Sequence, residues 1–127
     1  MKIIFFSFYF PPDLSAGSFR SIALCNALKN KLNDNDELHV ITSHPNRYKT
    51  HFKKAEDIEI NQNITINRIR VPSHNGSMLS QIITFIVFAF YAIRLCHKLK
   101  PDFLIGTSSR LMTALLTFFC SRVLKLN

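Results

Sequence analysis

The chain has 127 residues, 47% of them apolar and 19% charged, with three Gly and five Pro. This excludes a disordered tail, a collagen-like repeat and a flexible linker, and fits one domain or a piece of one. Lys and Arg outnumber Asp and Glu by 16 to 8, a net charge of +8, so the surface attracts phosphate, whether on nucleic acid, anionic lipid or a nucleotide. Residues 2–9 are a short run of Ile, Phe and Tyr bounded by Pro11 and Pro12, which reads as a strand buried on both faces. The run lacks a small-residue cleavage site and is not read as a signal peptide. Residues 10–18 supply a turn with Ser18 as the helix N-cap, and residues 19–32 place Phe19, Ile22, Ala23, Ala27, Leu28 and Leu32 on one helical face. Asn33, Asp34 and Asn35 end that pattern.

Residues 37–42 read as a second strand and residues 43–63 as a long polar, basic loop, a length that in compact domains points to function or mobility. Residues 64–71, with Ile64, Ile66, Ile69 and Val71, read as a third strand ended by Pro72 and the turn Ser73-His74-Asn75-Gly76. A long apolar helix over 78–99, a short strand over 102–106 and a second apolar helix over 110–126 complete the order. Strands alternating with helices predict an α/β layer fold with a mostly parallel sheet.

Residues 78–93 carry no charge, a run of 16 residues, somewhat short of the roughly 20 needed to span a bilayer. Arg94, Lys98 and Lys100 follow it, and Arg110 and Arg122 bracket most of the second apolar helix. A buried or membrane-resting helix is preferred to a span, with an anionic membrane surface as the partner favoured by the basic flanks. From Met78 onward six Lys and Arg face one Asp, so five of the eight net positive charges lie there.

Cys25, Cys96 and Cys120 are odd in number and widely spaced, which indicates neither a disulfide framework nor a zinc site. They read as small buried apolar residues in a reducing cytoplasm. His39, His51 and His97 fall at no metal-ligand spacing, so no metal is expected. Arg47, Lys49, Lys53 and Lys54 lie near Tyr48 and Phe52, but one short basic loop without a recognised module reads as solvated, and no nucleic acid is expected as a partner. The segment Ala16-Gly17-Ser18, between a strand and a helix, has the residues of a phosphate site. Unpaired N–H groups and the helix dipole face an anion there, and Gly17 adds no side chain. Gly17 reads equally as the residue that makes the turn, and neither Gly-x-Gly-x-x-Gly nor a Walker pattern is present.

Over almost its whole length the chain resembles the N-terminal domain of family 4 glycosyltransferases, the retaining, nucleotide-sugar-dependent enzymes of the GT-B fold. The likeness rests on Lys2-Ile3-Ile4-Phe5-Phe6-Ser7-Phe8-Tyr9-Phe10-Pro11-Pro12, on Ala16-Gly17-Ser18 with Arg20, and on Val40-Ile41-Thr42-Ser43-His44-Pro45-Asn46. Ile69-Arg70-Val71-Pro72 and Lys100-Pro101-Asp102-Phe103-Leu104-Ile105-Gly106-Thr107-Ser108 extend it. The pattern looks most like the bacterial enzymes that assemble O-antigen, capsule or exopolysaccharide.

The resemblance implies a Rossmann-like three-layer domain over residues 1–127, the acceptor-side part of a GT-B enzyme. Further strands and a whole donor-binding domain would lie beyond Asn127, so the chain alone is expected to be inactive. It implies transfer of a sugar from a nucleotide-sugar donor to a lipid-linked saccharide, at the cytoplasmic face of the inner membrane, with no cofactor and no obligatory metal. Ala16, Gly17 and Ser18 would approach the donor diphosphate, although the family usually has two adjacent glycines where this chain has Ala16 and Gly17. Loops at the carboxyl ends of the strands would face the acceptor, which nominates Asp13, His44, Asn46, Ser73, His74, Thr107, Ser108 and Ser109. Each reads equally as a solvated loop residue or a cap, and no catalytic base is named. The rival reading is a non-catalytic membrane-associated protein anchored by the apolar helices after Met78. A partly built sheet also leaves an exposed edge, so self-association is expected.

Overall fold

A computed structural model describes residues 1–45, 55–72, 76–107 and 111–125. Among them the order is β1 (Lys2–Phe6), α1 (Ala16–Lys29), β2 (Glu37–Ser43), β3 (Ile58–Asn61), β4 (Ile64–Ile69), α2 (Met78–Leu99), β5 (Phe103–Gly106) and α3 (Leu111–Val123). One five-stranded sheet has the order β3-β4-β2-β1-β5. β1 runs parallel to β2 and β5, β2 runs parallel to β4, and β3 is antiparallel to β4. The fold is therefore α/β with a mixed sheet, parallel in the middle and antiparallel at one edge.

The period-two alternation of β1 divides the core. Ile4 and Phe6 join Phe85, Phe88, Ala92 and Cys96 of α2 and Leu116 and Cys120 of α3 on one face. Ile3 and Phe5 join Ile22, Cys25 and Leu28 of α1 on the other. Covering both faces lets β1 consist of apolar residues throughout, as buried parallel strands do. The run expected as a strand over 2–9 pairs as a strand only to Phe6. The hydroxyl of Ser7 turns back to the Tyr9 carbonyl at 2.7 Å, and the chain leaves the ladder while staying buried.

The stretch 43–63, expected to be a loop, contains β3, which joins β4 through a two-residue hairpin with Gln62 in the left-handed region at φ 55°. Ile58 and Ile60 on β3 are 58% and 73% exposed, so the strand rests on its ladder to β4 with little apolar burial. β3 and β5 are the two sheet edges, and Phe103 on β5 is also exposed.

The start of α1 differs from the expected one. Ser15, with extended backbone, is the N-cap and accepts the Ser18 N–H at 3.1 Å, while Ala16, Gly17 and Ser18 form the first helical turn. The buried side of the helix is Ser18, Ser21 and Cys25, and Phe19 is 61% exposed. Small side chains let this helix lie close against β1. The Ser21 hydroxyl is shared between Ser7 Oγ at 2.6 Å and the Gly17 carbonyl at 2.8 Å, which ties helix to strand.

The bounds of α2 match the expected 78–99. Ser77 caps its start, and Lys100, in the left-handed region before Pro101, ends it. By length and composition this helix is apolar enough to cross a membrane, yet Phe85, Phe88, Ala92 and Cys96 form an inner stripe that packs on the sheet. Only 28% of its most apolar window is buried, and Leu79, Ile82, Ile83, Ile86, Phe90 and Tyr91 are exposed, while Ala89, Ile93 and Leu95 pack partly against the core.

α3 approaches β5 closely at Gly106, where an added Cβ would overlap the Thr117 hydroxyl and lie 2.9 Å from Thr117 Cβ. Gly106→Ala forces α3 outward and is expected to cost about 1–3 kcal/mol in urea unfolding. Thr117→Ala in the same chain should restore part of that loss, and strict additivity of the two changes would show that the contact is not the cause.

Candidate functional site at the carboxyl edge of the sheet

Strands β1, β2, β4 and β5 point the same way, so their carboxyl ends share one edge. The chain runs from β1 outward to β2 and β4, then returns to place β5 on the other side of β1. Such a reversal opens a crevice between the two strands, and open α/β sheets bind ligands there. Here that switch point lies beyond Phe6 of β1 and Gly106 of β5.

The β1–α1 segment borders this switch point and is held tightly. The Phe8 carbonyl accepts from Ser43 Oγ at 2.7 Å and Thr42 Oγ1 at 3.3 Å, anchoring the segment to the end of β2. Pro11 and Pro12 are joined by a cis peptide, and the Asp13 N–H returns to the Phe10 carbonyl at 3.1 Å. Asp13 is buried, 6% exposed. Ala16, Gly17 and Ser18 grade from exposed through half-buried to buried, and they bring the N-terminus of α1 to this edge. The expected turn is therefore a helix start, which keeps its dipole and N–H groups available to an anion. One of those N–H groups, that of Ser18, is already taken by Ser15.

The other nominated residues divide. Thr107 continues the β5 ladder, its N–H donating to the Phe6 carbonyl at 3.1 Å, so it sits at the switch point. His44 lies past the end of β2, where its Nε2 meets Asp57 Oδ1 at 2.6 Å and its N–H bonds the Ile69 carbonyl. Asp57 in turn accepts from Arg70 Nε and Nη2, each at 3.1 Å. His44 thus joins Arg70 in a hydrogen-bonded cluster around Asp57, past the carboxyl ends of β2 and β4. Asn46, Ser73, His74, Ser108 and Ser109 lie outside the described residues, as does most of the basic loop with Arg47, Lys49, Lys53 and Lys54. Among the described residues no group of three or more His, Cys, Asp or Glu is placed to hold a metal ion.

Arg68 was not nominated from sequence, although the spacing Ile64, Ile66, Arg68 puts a cation on a core face of β4 and is the signal that finds it. Its side chain is 3% exposed. Nη1 donates to Glu59 Oε2 at 2.9 Å and the Glu56 carbonyl at 3.2 Å, and Nη2 donates to the Pro11 carbonyl at 3.0 Å. One guanidinium therefore ties β3 and the residues before it to the segment after β1. Phe10, Pro11, Pro12 and Ile22 complete a groove of about 560 Å³ beside it. Arg68→Ala is expected to cost about 2–3 kcal/mol in urea unfolding, a figure below that of a fully buried pair because Glu59 is half exposed. A loss under about 1 kcal/mol would show that water replaces the guanidinium freely.

Charge placement also sets a pH window. Arg70 first and His44 second hold the Asp57 carboxyl below its ordinary value. The amino terminus of Met1, 2.7 Å away, does the same for Asp36, and His39 and then Lys2 do so for Glu37. A depressed carboxyl stabilises the fold above its unfolded pKa, and that contribution disappears as pH falls through the folded value. The Met1 amine is raised above 8.0 by its hydrogen bond to Asp36, so its contribution is present below that pH and lost above it. The thermal midpoint should therefore decline below about pH 4 and again above about pH 8. A midpoint that rises on acidification through pH 4 would contradict these ion pairs.

No family model matches the sequence, and no curated protein matches it.

Proposed function

We propose that this chain is the N-terminal, acceptor-side Rossmann-like domain of a retaining GT-B glycosyltransferase. The enzyme would move a sugar from a nucleotide-sugar to a lipid-linked saccharide in bacterial O-antigen, capsule or exopolysaccharide synthesis. The observation that carries the reading is the reversal of strand order between β1 and β5, with the N-terminus of α1, Gly17 in its first turn, following β1 at the carboxyl edge. A donor diphosphate suits that end of the helix, because the dipole and unpaired N–H groups act on charge that grows as the sugar leaves.

Ala16, Gly17 and Ser18 are the proposed diphosphate contacts. Asp13 and Thr107 border the switch point, and His44 lies farther along the same edge, so these three are the proposed acceptor-side positions among the described residues. Asn46, Ser73, His74, Ser108 and Ser109 complete the proposal from sequence. In this reading a donor-binding domain supplies most of the nucleotide site, and the reading requires no cofactor and no obligatory metal. The proposed location is the cytoplasmic face of the inner membrane. The test is transfer of labelled sugar to lipid-extractable material by membranes that contain the polypeptide carrying this chain. Equal transfer when that polypeptide is deleted would overturn the proposal.

A second reading, a non-catalytic membrane-associated protein, is favoured by the outer faces of α2 and α3. Leu79, Ile83, Ile86 and Phe90 on α2, and Leu115, Phe118 and Phe119 on α3, are each more than half exposed. Neither helix contains Asp or Glu, and both end in basic residues, Lys98 and Arg122. Such a layer suits an anionic bilayer surface, with the apolar stripe in the acyl boundary and the cations at headgroup level. In the first reading the same layer brings the carboxyl edge to a lipid-linked acceptor. Both readings expect flotation with anionic vesicles, and only the first expects sugar transfer.

A further inference from the structure

The outer stripes of α2 and α3 read in the same order. On α2, Leu79, Ile83, Ile86 and Phe90 recur at the three- and four-residue spacing that keeps one helical face, and Arg94, with Lys98 one turn on, follows them. On α3, Leu111, Leu115 and Phe118 precede Arg122, whose guanidinium lies 5.2 Å from the centre of the Phe118 ring. All of these residues are exposed. The two helices follow the parallel strands β4 and β5, so their apolar first turns share the carboxyl edge of the sheet and their cations share the far end.

Between those first turns lies a cleft of about 330 Å³, lined by Met78, Ile82, Phe85 and Ile86 of α2 and by Leu111 and Met112 of α3. Gln81 also borders it, and its amide donates to the Gly76 carbonyl at 3.3 Å. Among the described residues no charged side chain lines the cleft; Arg110, directly before α3, lies outside them. Two flexible methionines let such a cleft adapt to a chain of varying shape. We infer that this cleft is a lipid site: it holds one hydrocarbon chain of an anionic bilayer, and the first turns of α2 and α3 enter the acyl layer ahead of their C-terminal turns. The site rests on the bilayer-facing layer that both readings above share.

The charges choose a bilayer over a second copy. Two copies docked on this face bring cations to cations when the helices align, and cations to apolar turns when they oppose. Neither helix has an Asp or Glu to receive those cations, and like charges facing each other cost affinity. An anionic bilayer supplies both complements in the required order, chains at depth and phosphates at the surface. From Ile82 to Arg94 the helix rises ~18 Å, whereas an interfacial helix buries its apolar face only about 5–10 Å deep. The layer therefore tilts with its uncharged end deepest, which lowers the carboxyl edge of the sheet, with Gly106 and Thr107, toward the membrane.

The sequence contains no Trp, so a single introduced indole reports its own depth. Met112→Trp places it at the cleft and Val123→Trp at the cationic end, both at exposed positions. Each full chain is mixed with vesicles of phosphatidylcholine and phosphatidylglycerol whose acyl chains carry bromine, a contact quencher, and flotation is scored on the same samples. The expected result is flotation of both variants, with the emission of Met112→Trp quenched several-fold more than that of Val123→Trp. A bromine-tagged dodecanoate, added without vesicles below its micelle concentration, should quench Met112→Trp saturably and leave Val123→Trp unchanged. Leu111→Trp, at a position 74% exposed, should give the same result and serves if Met112→Trp does not fold. Flotation with quenching equal at the two ends, or stronger at residue 123, would overturn the order of insertion. Lack of saturable quenching by dodecanoate would overturn the cleft as a chain site. Either result leaves the bilayer-facing layer in place, whereas absence of flotation overturns the layer and the site together.

Discussion

Phe88→Ala lowers the stability of the domain by about 3–5 kcal/mol, the loss of a fully buried ring and the cavity it leaves. Phe88 is 0% exposed, and its ring lies 5.0 Å from Phe8 edge-on and 6.1 Å from Phe85. Such aromatic contacts add about 0.5–1.5 kcal/mol beyond their burial. The effect should reach the carboxyl edge, because Phe8 carries the carbonyl that Ser43 and Thr42 hold. Urea unfolding measures the loss, with the slope unchanged if only the native state suffers. Phe88→Leu, which keeps most of the volume, should cost far less. A loss under about 1 kcal/mol for the alanine variant would mean that α2 does not depend on this ring to stay docked on the sheet.

Under the proposed function, Gly17→Val in the polypeptide that carries this chain is expected to lower sugar transfer by roughly 100-fold or more, since displacing a reacting group by about 1 Å can cost that much. Gly17 is half-buried in the first turn of α1, the end of the helix nearest the carboxyl edge. A branched side chain there occupies the space assigned to the diphosphate, while the helix itself accepts valine more readily than glycine. Folding should therefore be retained by circular dichroism as activity falls. Normal turnover in a folded variant would remove the first turn of α1 from the donor site.

Much of the architecture was legible because its signals are strong and local. The apolar stretch from Met78 to the residue before Lys100-Pro101 gives α2 to the residue, and the short apolar runs give β2, β4 and β5 within two residues at either end. β3 escaped notice because Ile58 and Ile60 alternate inside a polar stretch and face outward, so no core pattern announces them. For α1 the expected face is right in part: Ile22, Leu28 and Leu32 pack on the core, whereas Phe19, Ala23 and Ala27 are exposed and the fully buried positions are Ser18, Ser21 and Cys25. Hydroxyl contacts between Ser7 and Ser21 let the helix seat on small residues, a tertiary effect that hydropathy does not encode. The same shift moved the cap from Ser18 to Ser15, two residues of equal capping power.

The site was legible as an edge more than as a set of contacts. The strand–helix alternation placed Asp13, His44 and Thr107 at carboxyl ends, and the fold places them there. It did not show that His44 is engaged by Asp57, because Asp57 lies in the stretch read as loop. Arg68 was hidden in the same way: its partners Glu59 and Pro11 are far apart in sequence and meet only when β3 pairs with β4.

The account turns on whether the polypeptide that carries this chain transfers sugar. Membranes from cells that make it, and from cells in which its coding region is deleted, are given a panel of labelled nucleotide-sugars, and the lipid-extractable label is counted. The account predicts that label from at least one donor appears with the intact polypeptide and is lost in the deletion. Unchanged incorporation from every donor, in membranes that do bind the protein, would contradict it and leave the membrane-associated reading in its place.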